Sequence, residues 1–398
     1  MNSHDEKWDW LPGPVVPFDW QAFVDKHRIL YRDHGGVRAV AGALAFRLSL
    51  YAIGQAAWGF DDLLYPDWRR TRLRGPIFIL GHQRSGTTFL HRLLASDKAH
   101  ARSLLFHEML LPASSFQRML DEFGTVDAKL GGKLRDGFAR WQEKKFSPLD
   151  HIHRLRFDEV EEDEFVLWTI FASAMCVNDA PISTADSQLD DLRYFHQWPE
   201  KRQARALGWY RACLLKKVHR EPSSDSHLPW AVSKNPAFSQ KITLLRKVFP
   251  DARFIYLVRN PLEAIPSRLS LIRSIWNARF PEFEAMNENQ VRTILADSLN
   301  TYLYAERDLP GVPDEQKLVV PYEWITADAR GVVEEIYRRF ELPGPDESLS
   351  ERLRSLKKRD GKFKSQHDYS LAEFFLTESD IREPLAEVFS RYQFDRAT

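Results

Sequence analysis

Hydrophobic residues along this chain fall into short unbroken runs and longer stretches where they return every three or four positions. The runs Ile77 to Leu80, Arg253 to Val258 and Leu318 to Val320 are short and rich in β-branched or aromatic residues, which predicts strands. The longer patterns predict helices. They fill the chain up to about Arg74, behind an extended lead-in at Pro12, Pro14 and Pro17, and dominate the charged middle from His107 to about Lys217. They recur before Phe249-Pro250, at roughly Gly331 to Glu341 and at Leu371 to Tyr392. Strands separated by helical stretches argue for an α/β fold in three layers, a central, mostly parallel sheet flanked by helices. The expected division is an N-terminal helical extension over 1–74, packed on a main domain over 75–398.

The most apolar stretch, Ala39 to Phe60, is interrupted by Arg47, Ser49 and Gln55, so it predicts a buried or amphipathic helix rather than a transmembrane span. The first residues are acidic and aromatic where a secretory signal has a basic patch and an apolar run. A soluble, cytoplasmic protein is expected, with peripheral membrane contact and a homodimer both left open. Lys plus Arg equals Asp plus Glu at 56 each, so a polyanion-binding surface over the whole protein is not supported. Nucleic acid is not an expected partner, and any cationic site must be local. The two cysteines, Cys176 and Cys213, provide neither a disulfide framework nor metal-ligand spacing.

The first strand runs directly into Gly81-His82-Gln83-Arg84-Ser85-Gly86-Thr87-Thr88, and Phe89, Leu90, Leu93 and Leu94 follow at helical spacing. Strand, glycine-bearing loop and helix is the order in which phosphate-cradling, P-loop-like structures are built. The glycines let successive N–H groups turn inward on an anion, and the helix adds its positive end. Two features depart from a nucleotide triphosphatase. Thr87 stands where a Walker loop has its lysine, the cation lying inside the loop as Arg84, and the second strand ends in Arg259-Asn260 rather than an aspartate for Mg²⁺. Arginine in both places suits a phosphate-rich donor bound without metal.

Arg259 stands at the carboxyl end of its strand, where ligands of open α/β sheets bind. Its guanidinium can grip a phosphate through two parallel hydrogen bonds, and Ser267, eight residues on, can add a third. Together, Gly81 to Thr88 and Arg259 with Ser267 resemble the sulfotransferase superfamily, and the flanking Phe249-Pro250-Asp251-Ala252-Arg253-Phe254 agrees. Lys234-Asn235-Pro236, Pro321-Tyr322-Glu323 and His367-Asp368-Tyr369-Ser370-Leu371 resemble landmarks of its bacterial-type branch, related to protein-tyrosine sulfotransferases. The resemblance spans about Gly75 to Phe394; Phe238 departs from it, standing where a histidine is expected. It implies transfer of a sulfuryl group from 3′-phosphoadenosine 5′-phosphosulfate (PAPS) to a hydroxyl of a small acceptor, leaving adenosine 3′,5′-bisphosphate. Gly81, Arg84, Ser85, Gly86, Thr87 and Thr88 would hold the 5′-phosphosulfate, and Arg259 and Ser267 the 3′-phosphate.

In-line transfer builds charge on both the leaving and the attacking oxygen. Arg84 is placed to neutralise the first. For the acceptor's proton the resemblance points to Glu108, in His107-Glu108-Met109-Leu110-Leu111-Pro112, with His153 as the second candidate. The structural reading of Glu108 is a surface helix cap or salt bridge. The acidic run Asp158 to Glu164 reads as mostly a solvated helix start, with one or two carboxylates lining the acceptor pocket. Lys362, Lys364 and His367 read either as a flap over the donor's phosphates or as an exposed loop. Trp168, Phe171, Trp209 and Trp276 fit core or pocket wall alike. The rival functions are a P-loop kinase-like phosphotransferase with a displaced cation, and a catalytically silent nucleotide-binding homologue.

Overall fold

Ile77, Phe78, Ile79 and Leu80 follow one another in the strand Arg74–Gly81 (β1), and all four are buried. A strand apolar on both faces of its pleat can only rest between two layers. In this computed structural model, which describes residues 6–34, 37–147, 150, 154–182, 188–222, 229–280, 283–356 and 370–395, β1 is the middle strand of five. The others are Ala101–Arg102 (β2), Trp230–Lys234 (β3), Arg253–Val258 (β4) and Lys317–Pro321 (β5), in the spatial order β2-β3-β1-β4-β5. Every pairing is parallel. β1, β4 and β5 lie where the hydrophobic runs predict them. β3 does not announce itself, because Ser233 and Lys234 break its apolar run although the whole strand is buried.

The helices that matter below are Trp20–His34 (α1), Val37–Leu64 (α2), Thr87–Leu94 (α3), Phe106–Leu110 (α4), Ser114–Lys129 (α5) and Lys133–Phe146 (α6). Glu164–Thr169 (α7), Met175–Asn178 (α8), Glu200–Arg220 (α9), Ile242–Val248 (α10), Pro261–Arg279 (α11) and Glu288–Asp308 (α12) follow. Alternation along the strands sorts the core into two layers. Phe78, Leu80, Phe254 and Tyr256 face one cluster with α9, α11 and α12, while Ile77, Ile79, Ile255 and Leu257 face another with α3 and the helix Ala329–Arg339. The N-terminal segment joins the first cluster, where Trp58 packs on Trp209 at 4.4 Å between ring centroids.

One expectation changes here, and the aromatic residues left open by the sequence are placed. Leu371 to Tyr392 is not one helix but a 3-10 turn, Leu371–Phe374, and two short helices, Ser379–Arg382 and Ala386–Tyr392. Phe375 takes a left-handed φ of 55° and ends the first piece. Trp168, Phe171, Trp209 and Trp276 are all buried members of the core. Phe238 is core as well, against Phe78 and Tyr210.

Candidate active site

β1 ends in a glycine because nothing else fits. Gly81 has φ +126°, and a Cβ there would lie 2.1 Å from the Leu257 carbonyl oxygen of the neighbouring strand. Its N–H is taken by Ser239 Oγ at 2.9 Å. Arg84 and Gly86 both adopt left-handed φ, 71° and 85°, so the chain curls back before Thr87 opens α3. The Arg84 conformation is uncommon for a residue with a side chain and marks a turn the surroundings impose.

The turn after β4 meets this loop directly. Arg259 Nη1 donates to the Arg84 carbonyl oxygen at 2.7 Å, and Arg84 Nε donates to Ser267 Oγ at 3.1 Å. Arg259 also stacks over Tyr322 and holds Glu263 at 2.8 Å. From α12, Tyr302 braces both turns: its hydroxyl donates to the Arg259 carbonyl oxygen at 3.0 Å, and its ring stacks on His82 at 5.2 Å. Burial, aided by Arg268, pushes His82 down to about 3, so this imidazole is neutral at physiological pH. Gly81, Arg84, Ser85, Gly86, Thr87, Thr88, Arg259 and Ser267 thus gather at one edge of the sheet, beyond the carboxyl ends of β1 and β4.

A second charged group stands one strand away. Lys234 pairs with Ile79 in register, and the Asn235 N–H donates to the Ile79 carbonyl oxygen at 3.1 Å. Its ammonium is wholly buried and held by Glu162 at 3.0 Å and Glu161 at 3.3 Å. Burial alone would lower it, but the two carboxylates hold it above the ordinary lysine value. The same acidic run places Glu164 on Asn235 at 2.8 Å and Asp163 under the Tyr210 hydroxyl at 2.7 Å. The expected solvated helix start fails for the second half of the run: Glu161, Asp163 and Glu164 are buried, while Asp158 stays exposed. The segment is drawn in because Leu105 bridges to Val160 and the Asp163 N–H donates to the Lys234 carbonyl oxygen.

A model of the sulfotransferase family matches residues 76–346, well over half of the chain. The chain belongs to the sulfotransferase family. It is 26% identical over 333 residues to the omega-hydroxy-beta-dihydromenaquinone-9 sulfotransferase Stf3 of Mycobacterium bovis, covering 81% of this chain and 76% of that one. The Stf3 of Mycobacterium tuberculosis matches to the same extent. Among solved structures, the sulfotransferase STF1 of Mycobacterium tuberculosis superposes with a TM-score of 0.66 at 20% identity, over 92% of this chain and 91% of that one. STF9 of Mycobacterium avium follows with 0.61 at 22% identity, over 86% and 84%. These likenesses agree with the P-loop-like α/β fold.

In this sulfotransferase Glu108 is buried and fully engaged. Its Oε2 accepts the Leu105 N–H at 2.8 Å, closing the first turn of α4. Lys217, at 2.9 Å, and Arg220 reach it from α9. Glu108 therefore has the partners of a helix cap and an ion pair, whatever else it does. His153, Lys362, Lys364 and His367 lie outside the described residues. What the residue patterns missed is Lys234 with Glu161 and Glu162, and the brace at Tyr302. The signal for the first was present: a lysine closing a short apolar segment, Trp230-Ala231-Val232, just before Asn235-Pro236.

Proposed function

We propose that this sulfotransferase takes its sulfuryl group from PAPS and passes it in line to a hydroxyl of an apolar small molecule. The observation that carries the donor assignment is the hydrogen bond between the Arg259 guanidinium and the backbone of Arg84. It joins the two arginine-bearing turns into one cationic edge. The loop from Gly81 to Thr88 would hold the 5′-phosphosulfate with its backbone N–H groups and the positive end of α3. Arg259 and Ser267 would hold the 3′-phosphate, exchanging Glu263 and Arg84 for phosphate oxygens. Arg84 would neutralise the leaving oxygen. These positive groups replace the role of a divalent cation in the reading.

The acceptor's proton has three candidate destinations, among them His153, the second candidate of the sequence reading. Glu108 is the one the family resemblance implies. Glu162 is favoured by a separate observation: it shares Lys234 with Glu161 one strand from the phosphate loop, and that lysine would face the transferring group. The relatives' named acceptor, a hydroxylated menaquinone derivative, supports an apolar alcohol as the acceptor class here.

Isothermal titration with adenosine 3′,5′-bisphosphate in chelator-treated buffer tests the donor reading. Wild type binds, and Arg259→Ala weakens binding by about 100-fold, as expected for a charge-paired phosphate contact. Binding of ATP only with Mg²⁺, and none of the bisphosphate, would return the chain to the kinase-like alternative.

A further inference from the structure

α2 is long and apolar enough to cross a membrane, yet its position in the fold argues otherwise. Over Val40–Leu64 only 17% of its most apolar window is buried. One side of the helix is tied to the protein by polar bonds. Arg47 lies over the Trp168 ring and donates to the Trp168 carbonyl oxygen at 2.7 Å. Gln55 accepts the Val16 N–H, Trp58 donates to the Gly13 carbonyl oxygen, and Asp61 caps α5 while pairing with buried Lys216 at 2.7 Å. Drawing α2 through a bilayer would break all of these. The opposite side, with Phe46, Ile53, Phe60 and Leu64 at helical spacing, is exposed.

α5 packs beside α2, and α6 beside α5. Each carries its own exposed apolar stripe. On α5 and just past its end, Phe123, Val126 and Leu130 recur at intervals of three and four; on α6, Leu134, Phe138 and Trp141 do the same. The leucines flanking the turn, at 74% and 75% exposure, are among the most exposed large apolar residues described. Gly131 and Gly132, both at positive φ, fold the turn, and Asp127 is turned inward to cap the Leu134 and Arg135 N–H groups. That leaves Lys129, Lys133 and Arg135 exposed around the two leucines, with Asp136 the one exposed acid among Lys129 to Asp136. Monomeric soluble proteins rarely expose apolar surface so densely. Leucines at a tip ringed by cations, with a tryptophan and phenylalanines one or two turns behind, form an amphipathic face complementary to an anionic bilayer.

We infer that the α5–α6 hairpin, together with the outer side of α2, docks this sulfotransferase on the anionic surface of a lipid bilayer. The face is also linked to the site. Phe157 packs against Phe138, Trp141 and Phe146 on one side and Phe106 of α4 on the other. Four residues later the chain reaches Glu161 and the Lys234 pair. An alcohol dissolved in the bilayer would thus be met by a surface that leads directly to the phosphate loop.

Co-sedimentation with vesicles of phosphatidylcholine, alone or mixed equally with phosphatidylglycerol, tests this without donor or acceptor, so its outcome is independent of the sulfuryl chemistry. Wild type is expected to pellet with the mixed vesicles. The pair Leu130→Ser and Leu134→Ser lowers the partition coefficient by about 10-fold or more. The pair Lys129→Gln and Lys133→Gln lowers it by about 10-fold on mixed vesicles and leaves the neutral ones unchanged. Unaltered melting temperatures and bisphosphate binding show that the variants fold. The inference falls if wild type stays in the supernatant with both vesicles, or if neither pair changes its partition. It falls equally if sedimentation velocity shows a lipid-free dimer that the leucine pair turns into monomer, which assigns the face to a second copy of the chain.

Discussion

Two buried charge clusters flank the carboxyl ends of β2 and β3, and their balance differs. At Lys234 one cation faces two carboxylates, Glu161 and Glu162. At Glu108 three cations, Lys217, Arg220 and Arg102, face Glu108 and Glu221. The lysines respond in opposite directions. Lys234 is held above its ordinary value by Glu162 and Glu161 against the pull of burial, whereas burial lowers Lys217 despite Glu221, with Arg102 adding to the fall. Glu221 is held below the carboxylate range by Lys217 and Arg220 even though burial opposes it. The lesson is that a glutamate's place in a motif does not define its electrical surroundings. One cluster sets several cations against its carboxylates; the other sets one lysine against Glu161 and Glu162 and lies beside the phosphate loop.

The strongest way to break this comparison is to remove each lysine. Lys234→Ala leaves buried Glu161 and half-buried Glu162 without this cation and is expected to cost about 3–5 kcal/mol in denaturant unfolding. Lys217→Ala costs less, because Arg220 stays on Glu108. Equal losses would erase the distinction.

Asp163 lies between Lys234 and Tyr210, and burial pushes it from 3.8 up to about 7, with the Tyr210 hydroxyl pulling the other way. The folded state therefore holds a proton that the unfolded state has released between about pH 4 and 7. Its contribution to stability is full below that window and is lost as pH rises through it, by about 2–4 kcal/mol in all. Asp163→Asn keeps an acceptor for Tyr210 and should flatten this part of the stability profile. An unchanged slope would place the titration elsewhere.

Turnover sharpens the comparison next. If the carboxylates on Lys234 matter to the chemistry, Glu162→Gln lowers kcat by about 100-fold with bisphosphate affinity preserved, and Glu108→Gln chiefly lowers stability. The reverse pattern would return the base to Glu108. The smallest effect belongs to the brace. Tyr302→Phe removes one hydrogen bond to the Arg259 backbone, worth about 1 kcal/mol, and is expected to weaken bisphosphate binding by about five-fold. No change in calorimetry would reduce Tyr302 to packing.

The phosphate loop was legible because its signals are local: a strand, two glycines that must take positive φ, and a helix follow one another without gap. Arg259 and Ser267 were legible for the same reason, being eight residues apart at the end of an obvious strand. Only the fold decided that these turns touch, since a contact between positions 84 and 259 depends on β1 and β4 being neighbours. It also decided that Glu161 and Asp163 are buried, against a composition that reads as solvated, because desolvating an acidic run requires partners that lie far along the chain, at Lys234 and Tyr210. Likewise the apolar stripes of α2, α5 and α6 are visible in the sequence as amphipathic periodicity. Whether such a stripe points inward or outward is set by which side the tertiary bonds of Arg47, Trp58 and Asp61 claim first.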